Sequence, residues 1–225
     1  GGAIWIQGSS TSACQFVLFD GCTFKNNVAK GKWGARGGAI RTHESQVIIT
    51  NSLFHGNMTF ANSDGTNDHS SNGGAVNISG PSYYDQGQQL WIGSQVQIIN
   101  STFANNLTKS GNTNSTRLSG SGLYLDSWGR SEKIWFFNNI VWGNKTSSDG
   151  SLEQVYFSNE SGWGSKFLNY NVVQSSEDIS SFQDDDSFET DPTFADSANG
   201  DYSLSNASSL IGKGSSTYEG VSAPT

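Results

Sequence analysis

The sequence is poor in the residues that carry most protein chemistry. Its 225 residues include two cysteines, one methionine, three prolines and three histidines. Cys14 and Cys22 are too few for a disulfide scaffold, whether they pair or stay as two buried thiols. No apolar run approaches the roughly 20 residues needed to span a bilayer, so this segment is not expected to insert into a membrane, and no signal peptide is visible. Charged residues are only 14%, and the balance is acidic at −8. Binding to nucleic-acid phosphates needs a basic surface, so a nucleic-acid partner is not expected. No nucleophile elbow, phosphate loop or zinc motif occurs, and His43, His55 and His69 share no ligand spacing.

What is abundant is glycine, at 27 residues, and aromatic side chains, at 12%. Disordered chains are usually low in aromatics, so a packed core is expected. Two short patterns recur. "GGAI" stands at Gly1–Ile4 and Gly37–Ile40, "GGAV" at Gly73–Val76, and a weaker "SGLY" at Ser121–Tyr124. Anchored on the second glycine, these give Gly2, Gly38, Gly74 and Gly122. "FKNN" at Phe24–Asn27 returns as "FHGN" at Phe54, "FANN" at Phe103 and a degenerate "VWGN" at Val141. Each copy follows a segment of strand composition: "FVLFDGC", "QVIITNS", "QVQIINS" and "IWFFNNI". "KFLNYNVV" at Lys166–Val173 reads as one more copy whose motif has decayed.

Recurrence at intervals of 20 to 50 residues is the signature of a solenoid. The expected fold is therefore all-β: a parallel β-helix of about five to six rungs with decorated turns. Residues 1–175 form the rungs, and residues 176–225 form an acidic loop and a closing C-terminal segment of the same domain. Phe24, Phe54 and Phe103 should stack in one interior column that Val141 continues. Asn27, Asn57, Asn106 and Asn144 should mark one corner, by adopting left-handed backbone angles and by bonding from rung to rung. The glycine pairs permit a tight corner or close backbone approach. Because the chain opens inside a "GGAI" unit, we expect it to be part of a longer one.

The alternating "GGA[ILV]" and "FxxN" tetrapeptides resemble the repeats of chlamydial polymorphic outer membrane proteins, over about Gly1–Asn144. That resemblance implies a right-handed, single-stranded parallel β-helix acting as an adhesin. "DPTFADSANGDYSLSNASSLIGKG", Asp191–Gly214, is similar to the closing segment of bacterial secreted β-helix proteins of the choice-of-anchor type. Asp191, Pro192, Phe194, Gly200, Asp201, Tyr202, Leu204, Ser208, Ile211 and Gly214 fit that pattern, and Ser209 stands where proline is usual. The resemblance implies the last rungs of such a helix, in a protein that is secreted or on the cell surface.

Three segments follow the glycine motifs on what the repeat register makes one flank: "RTHES" (Arg41–Ser45), "NISGPSYYDQGQQLW" (Asn77–Trp91) and "LDSWGRSE" (Leu125–Glu132). They gather Arg41, His43, Glu44, Tyr83, Tyr84, Asp85, Trp91, Asp126, Trp128 and Arg130. Aromatic faces beside carboxylates and arginine suit sugar rings, which stack on flat side chains at low entropy cost. The alternative is that these rings simply pack their own loops. Carbohydrate, or a cell-surface glycan, is thus the expected partner, and no catalytic set can be named.

Three functions compete on such a fold: an adhesin-like binding module, a polysaccharide lyase or glycoside hydrolase, and a structural spacer of a surface fibre. A glycosidase needs two carboxylates roughly 5–9.5 Å apart, which Glu44, Asp85 and Asp126 on neighbouring rungs would supply. No organic cofactor or transition metal is expected. Calcium is the one candidate ion, in the acidic run Glu177–Asp191 at Asp184, Asp185, Asp186 and Glu189, although a solvated loop explains the same charges. Asp64, Asp68 and His69 in a polar insertion are a weaker metal candidate. Asn-x-Ser/Thr sequons at Asn57, Asn77, Asn100, Asn106, Asn114, Asn144, Asn159 and Asn206 would make this a glycoprotein in a glycosylating host.

Overall fold

The structure is a computed structural model that describes residues 1–8, 15–32, 34–62, 70–80, 82–85, 90–93, 95–111, 118–127, 132–146, 150–158, 163–174 and 186–224. It is all-β, and its strands are short because each carries only two or three inward side chains before a turn. Five parallel sheets are filled in the same order on each pass of the chain. The first holds Ile4–Gln7, Ile40–His43, Val76–Ser79, Leu123–Asp126 and Val155–Ser158. The second holds Gln15–Asp20, Ser45–Thr50, Gln95–Ile99, Glu132–Phe137 and Trp163–Asn169. The third holds Thr23–Lys25, Leu53–His55, Thr102–Ala104, Ile140–Trp142 and Val172–Val173. A fourth of four strands begins at Val28–Gly31, and a fifth of three short strands begins at Ala35–Arg36. Sheets stacked in register in this way have the arrangement of a parallel β-solenoid, with five rungs.

The register puts like residues on like. Phe24, Phe54, Phe103, Val141 and Val173 are successive partners in the third sheet. The rings of Phe24 and Phe54 stack at 4.8 Å, as do those of Phe54 and Phe103, tilted by only 9° and 8°. Phe54 and Phe103 are fully buried, whereas Phe24, on the first rung, is half-covered. Val47, Val96 and Ile134, with Ile49, Ile98 and Phe136, build the facing columns of the same core. On the fifth rung the first of these columns passes to Lys166, whose ammonium lies 5.3 Å from the Phe157 ring centre.

The asparagine corner is a hydrogen-bond ladder. Asn27 donates through both its backbone N–H and its Nδ2 to Asn57 Oδ1, each at 3.0 Å. Asn57 does the same to Asn106, both bonds at 2.9 Å, and Asn106 to Asn144 at 2.9 and 2.8 Å. Gln154 Oε1 ends the run by accepting from Asn144. The Nδ2 groups of Asn57, Asn106 and Asn144 also reach the phenylalanine carbonyl one rung back. One part of the expectation is corrected here. The left-handed backbone angles fall on the preceding residues, Asn26, Gly56, Asn105 and Gly143, with φ of 54° to 71°. The ladder asparagines keep their side chains free for the next rung because their neighbours make the turn.

A second ladder, which the sequence reading did not single out, joins Cys22, Ser52, Ser101, Asn139 and Asn171 at the corner between the second and third sheets. The glycine register also shifts by one in the fourth copy. Val76 pairs with Leu123, so Gly122 takes the alanine place and Ser121 that of the second glycine. A Cβ on Gly38 would collide with the Gly74 carbonyl, and one on Gly74 with that of Ser121. These glycines are there for close approach between rungs.

The closing segment departs from expectation most. After Phe188, which bonds to Asn171 and Val173 at the end of the third sheet, the chain does not add rungs. It turns back along the outside as two antiparallel ribbons, Phe194–Asp196 with Asp201–Leu204 and Thr217–Tyr218 with Val221–Ser222. Tyr202 of this strap packs on His55 at 5.0 Å and accepts from Asn105 at 2.9 Å. Tyr218, Val221 and Ala223 cover Ile99, Trp135 and Phe137 on the outer side of the second sheet.

Candidate ligand-binding face

Along each strand of the first sheet the side chains alternate. Val76 and Ile78 point into the core, so Asn77 and Ser79 point away from it. Register then aligns two outward columns. The first is Trp5, Arg41, Asn77, Tyr124 and Tyr156; the second is Gln7, His43, Ser79, Asp126 and Ser158.

The first column is a run of flat groups. Arg41 lies over the Trp5 ring, its guanidinium carbon 5.3 Å from the ring centre. Tyr124 and Tyr156 stack at 5.3 Å, tilted by 14°. Trp5 is 61% exposed and Tyr156 41%, both high for large apolar rings. Between the two stacks sits Asn77, only 1% exposed although it faces outward. Both polar atoms of its amide, and Nε of Arg41, are buried without a hydrogen-bond partner among the described residues. Leaving such a group unpaired costs about 1–3 kcal/mol, and folded proteins rarely do so without reason.

The second column is polar. Gln7 Nε2 lies 3.2 Å from His43 Nδ1, and Ser79 donates to Asp126 at 3.2 Å. Glu44, at a left-handed corner with φ 52°, brings its carboxylate to 3.9 Å from His43. Burial pushes the His43 pKa below its usual value, and Arg41 and Arg36 push it the same way while Glu44 and Asp126 oppose them. Burial likewise raises the Tyr124 hydroxyl and lowers the Arg41 guanidinium. Arg36, at the end of the fifth sheet's first strand, acts electrostatically on Arg41, His43 and Tyr124 and so reaches the same face.

Of the residues singled out from sequence, Arg41, His43 and Asp126 thus share this face, and Glu44 sits at its rim. Tyr83, Tyr84, Asp85 and Trp91 lie instead in an antiparallel ribbon, Ser82–Asp85 with Leu90–Gly93, where Tyr84 opposes Trp91. That ribbon lies beside the second sheet. Trp128 and Arg130 are outside the described residues, as are Asp64, Asp68, His69, Asp184, Asp185 and Cys14. Asp186 and Glu189 are exposed. Among the described residues no group of three histidines, cysteines or carboxylates is placed to hold a metal ion, and no helix is long and apolar enough to cross a membrane. Trp5, Asn77, Tyr124 and Tyr156 were missed as site residues. Trp5, Asn77 and Tyr124 were signalled only by their place one position after the inward residue of a glycine motif, and Tyr156 by no motif at all.

A concavity of about 760 Å³ opens away from this face, between the strap and the corner of the third and fourth sheets, where Trp142, Lys145, Gln174, Asp191 and Phe194 line it. Of the sequons, Asn114 and Asn159 lie outside the described residues, and the others differ by position. Asn57, Asn106 and Asn144 are fully committed to the ladder, with Thr59, Thr108 and Thr146 as a buried neighbouring column. Asn77 is buried as well, Asn100 is half-buried and bonded to Asn51 and Pro224, and Asn206 is exposed. Comparison with protein-family models, characterised proteins and solved structures returns no significant match.

Proposed function

We propose that this chain is a right-handed, single-stranded parallel β-helix that serves as a secreted or cell-surface glycan-binding module, with the outward face of its first sheet as the binding surface. The observation that carries this reading is the column Trp5, Arg41, Asn77, Tyr124 and Tyr156. Trp5 and Tyr156 stand exposed at the two ends of this column, where flat rings can stack against sugar units, and the polar column beside them supplies hydrogen bonds to hydroxyls. A spacer has no need for exposed tryptophan and tyrosine in register. The repeats resembling those of polymorphic outer membrane proteins support an adhesin role.

A glycan array combined with a polysaccharide-depolymerisation screen tests the reading. The wild type should bind one class of oligosaccharide without releasing fragments, and Tyr156→Ala should weaken that binding at least tenfold with an unchanged melting temperature. Fragment release lost in Asp126→Asn would replace the adhesin with a lyase or hydrolase. No binding and no cleavage across a broad panel would leave the spacer.

A further inference from the structure

We infer that the binding face is built for an acidic saccharide, whose carboxylate or sulfate ester sits at Arg41 and Asn77. This rests on the glycan-binding reading and adds the chemistry of the ligand. The two residues are register partners on adjacent strands, so their side chains leave the sheet next to each other. Arg41 Nε and the Asn77 amide are the polar atoms on this face that are buried and unpartnered among the described residues. Two of the three, Arg41 Nε and Asn77 Nδ2, are N–H donors, which is what an anionic oxygen requires. Arg41 lies over the Trp5 ring, its guanidinium carbon 5.3 Å from the ring centre, and that contact narrows the directions its fork can take before any ligand arrives.

Charge on the face agrees with this assignment. Arg36 and Arg41 both act on His43, and Arg36 acts on Arg41, in a protein whose net charge is −8. The carboxylates nearby are engaged or displaced along the axis. Glu44 faces His43, and Asp126 accepts from Ser79 two strands further along the sheet than Arg41. The flat rings of Trp5 on one side and Tyr124 and Tyr156 on the other would then hold the sugar units that flank the charged one.

Titration calorimetry with an oligogalacturonide, its carboxyl-reduced counterpart and a sulfated neutral oligosaccharide decides the matter. The wild type should bind the uronide or the sulfated ligand at least tenfold more tightly than the reduced one, and the preference should shrink as salt rises. Arg41→Gln should bring the ratio of acidic to neutral affinities close to one. Asn77→Asp should remove the preference too, while its melting temperature holds or rises, because the new carboxylate pairs with Arg41 internally. Equal wild-type affinity for acidic and neutral ligands overturns the inference and leaves the glycan reading standing. Binding of none of the three overturns both, and a preference that survives Arg41→Gln moves the seat elsewhere.

Discussion

The asparagine corner and the outward face of the first sheet come from the same repeat and follow opposite rules. At the corner one residue type recurs on each rung, and every donor finds its acceptor one rung away. On the face no two adjacent rungs carry the same residue until Tyr124 meets Tyr156, and donors at Arg41 and Asn77 find no partner among the described residues. Identity between rungs satisfies a column internally and so makes it structural. Variety leaves a column incomplete, and incompleteness is what a ligand can use.

Four substitutions test that contrast, from the largest expected effect to the smallest. Phe54→Ala removes a fully buried ring from the middle of a stack and should lower unfolding free energy by about 3–5 kcal/mol in a denaturant titration. A loss below about 1 kcal/mol would mean the stack does not hold the core. Asn106→Ala strands the Asn57 N–H and the Phe54 carbonyl and should cost about 2–3 kcal/mol. Tyr202→Phe deletes one hydrogen bond between strap and rungs and should cost about 1 kcal/mol. Tyr156→Ala should stay within about 0.5 kcal/mol of wild type, as exposed substitutions do, while glycan binding falls.

The strap also responds to pH. Burial, and then Lys25, hold the His55 pKa below its ordinary 6.5. The unfolded chain therefore takes up this proton first, so stability should fall as pH drops through about 6.5 and level off below the depressed folded value. Comparing melting temperatures at pH 7.5 and 5.5 in wild type and His55→Gln isolates the effect. The wild type should lose more on acidification than the variant.

Much of this architecture was legible without coordinates. The phenylalanine and asparagine columns could be read because a stacked coil repeats residue type at fixed places, and those types are distinctive. The fourth glycine copy was misplaced by one because the reading followed glycine itself, whereas strand register puts Ser121 in the place of the second glycine and Gly122 in that of alanine. Of the residues on the face, Arg41, His43 and Asp126 were noticed as charged groups near a motif. Tyr124 and Tyr156 were not, because an aromatic residue in a strand reads equally as core.

The sequence by itself determined the repeat, the interior columns and the corners, since like must be buried against like at every level of a solenoid. Only the tertiary structure decided three other things. Residues 79 and 126 meet across 47 positions of chain, and loop lengths conceal such a pairing from any linear reading. The closing segment runs back outside the rungs because Tyr202 packs on His55 and hydrogen-bonds Asn105 while Tyr218 covers apolar side chains of the second sheet, an antiparallel return that no repeat announces. Asn77 lies buried on an outward face without a hydrogen-bond partner among the described residues, a property of its surroundings rather than of asparagine.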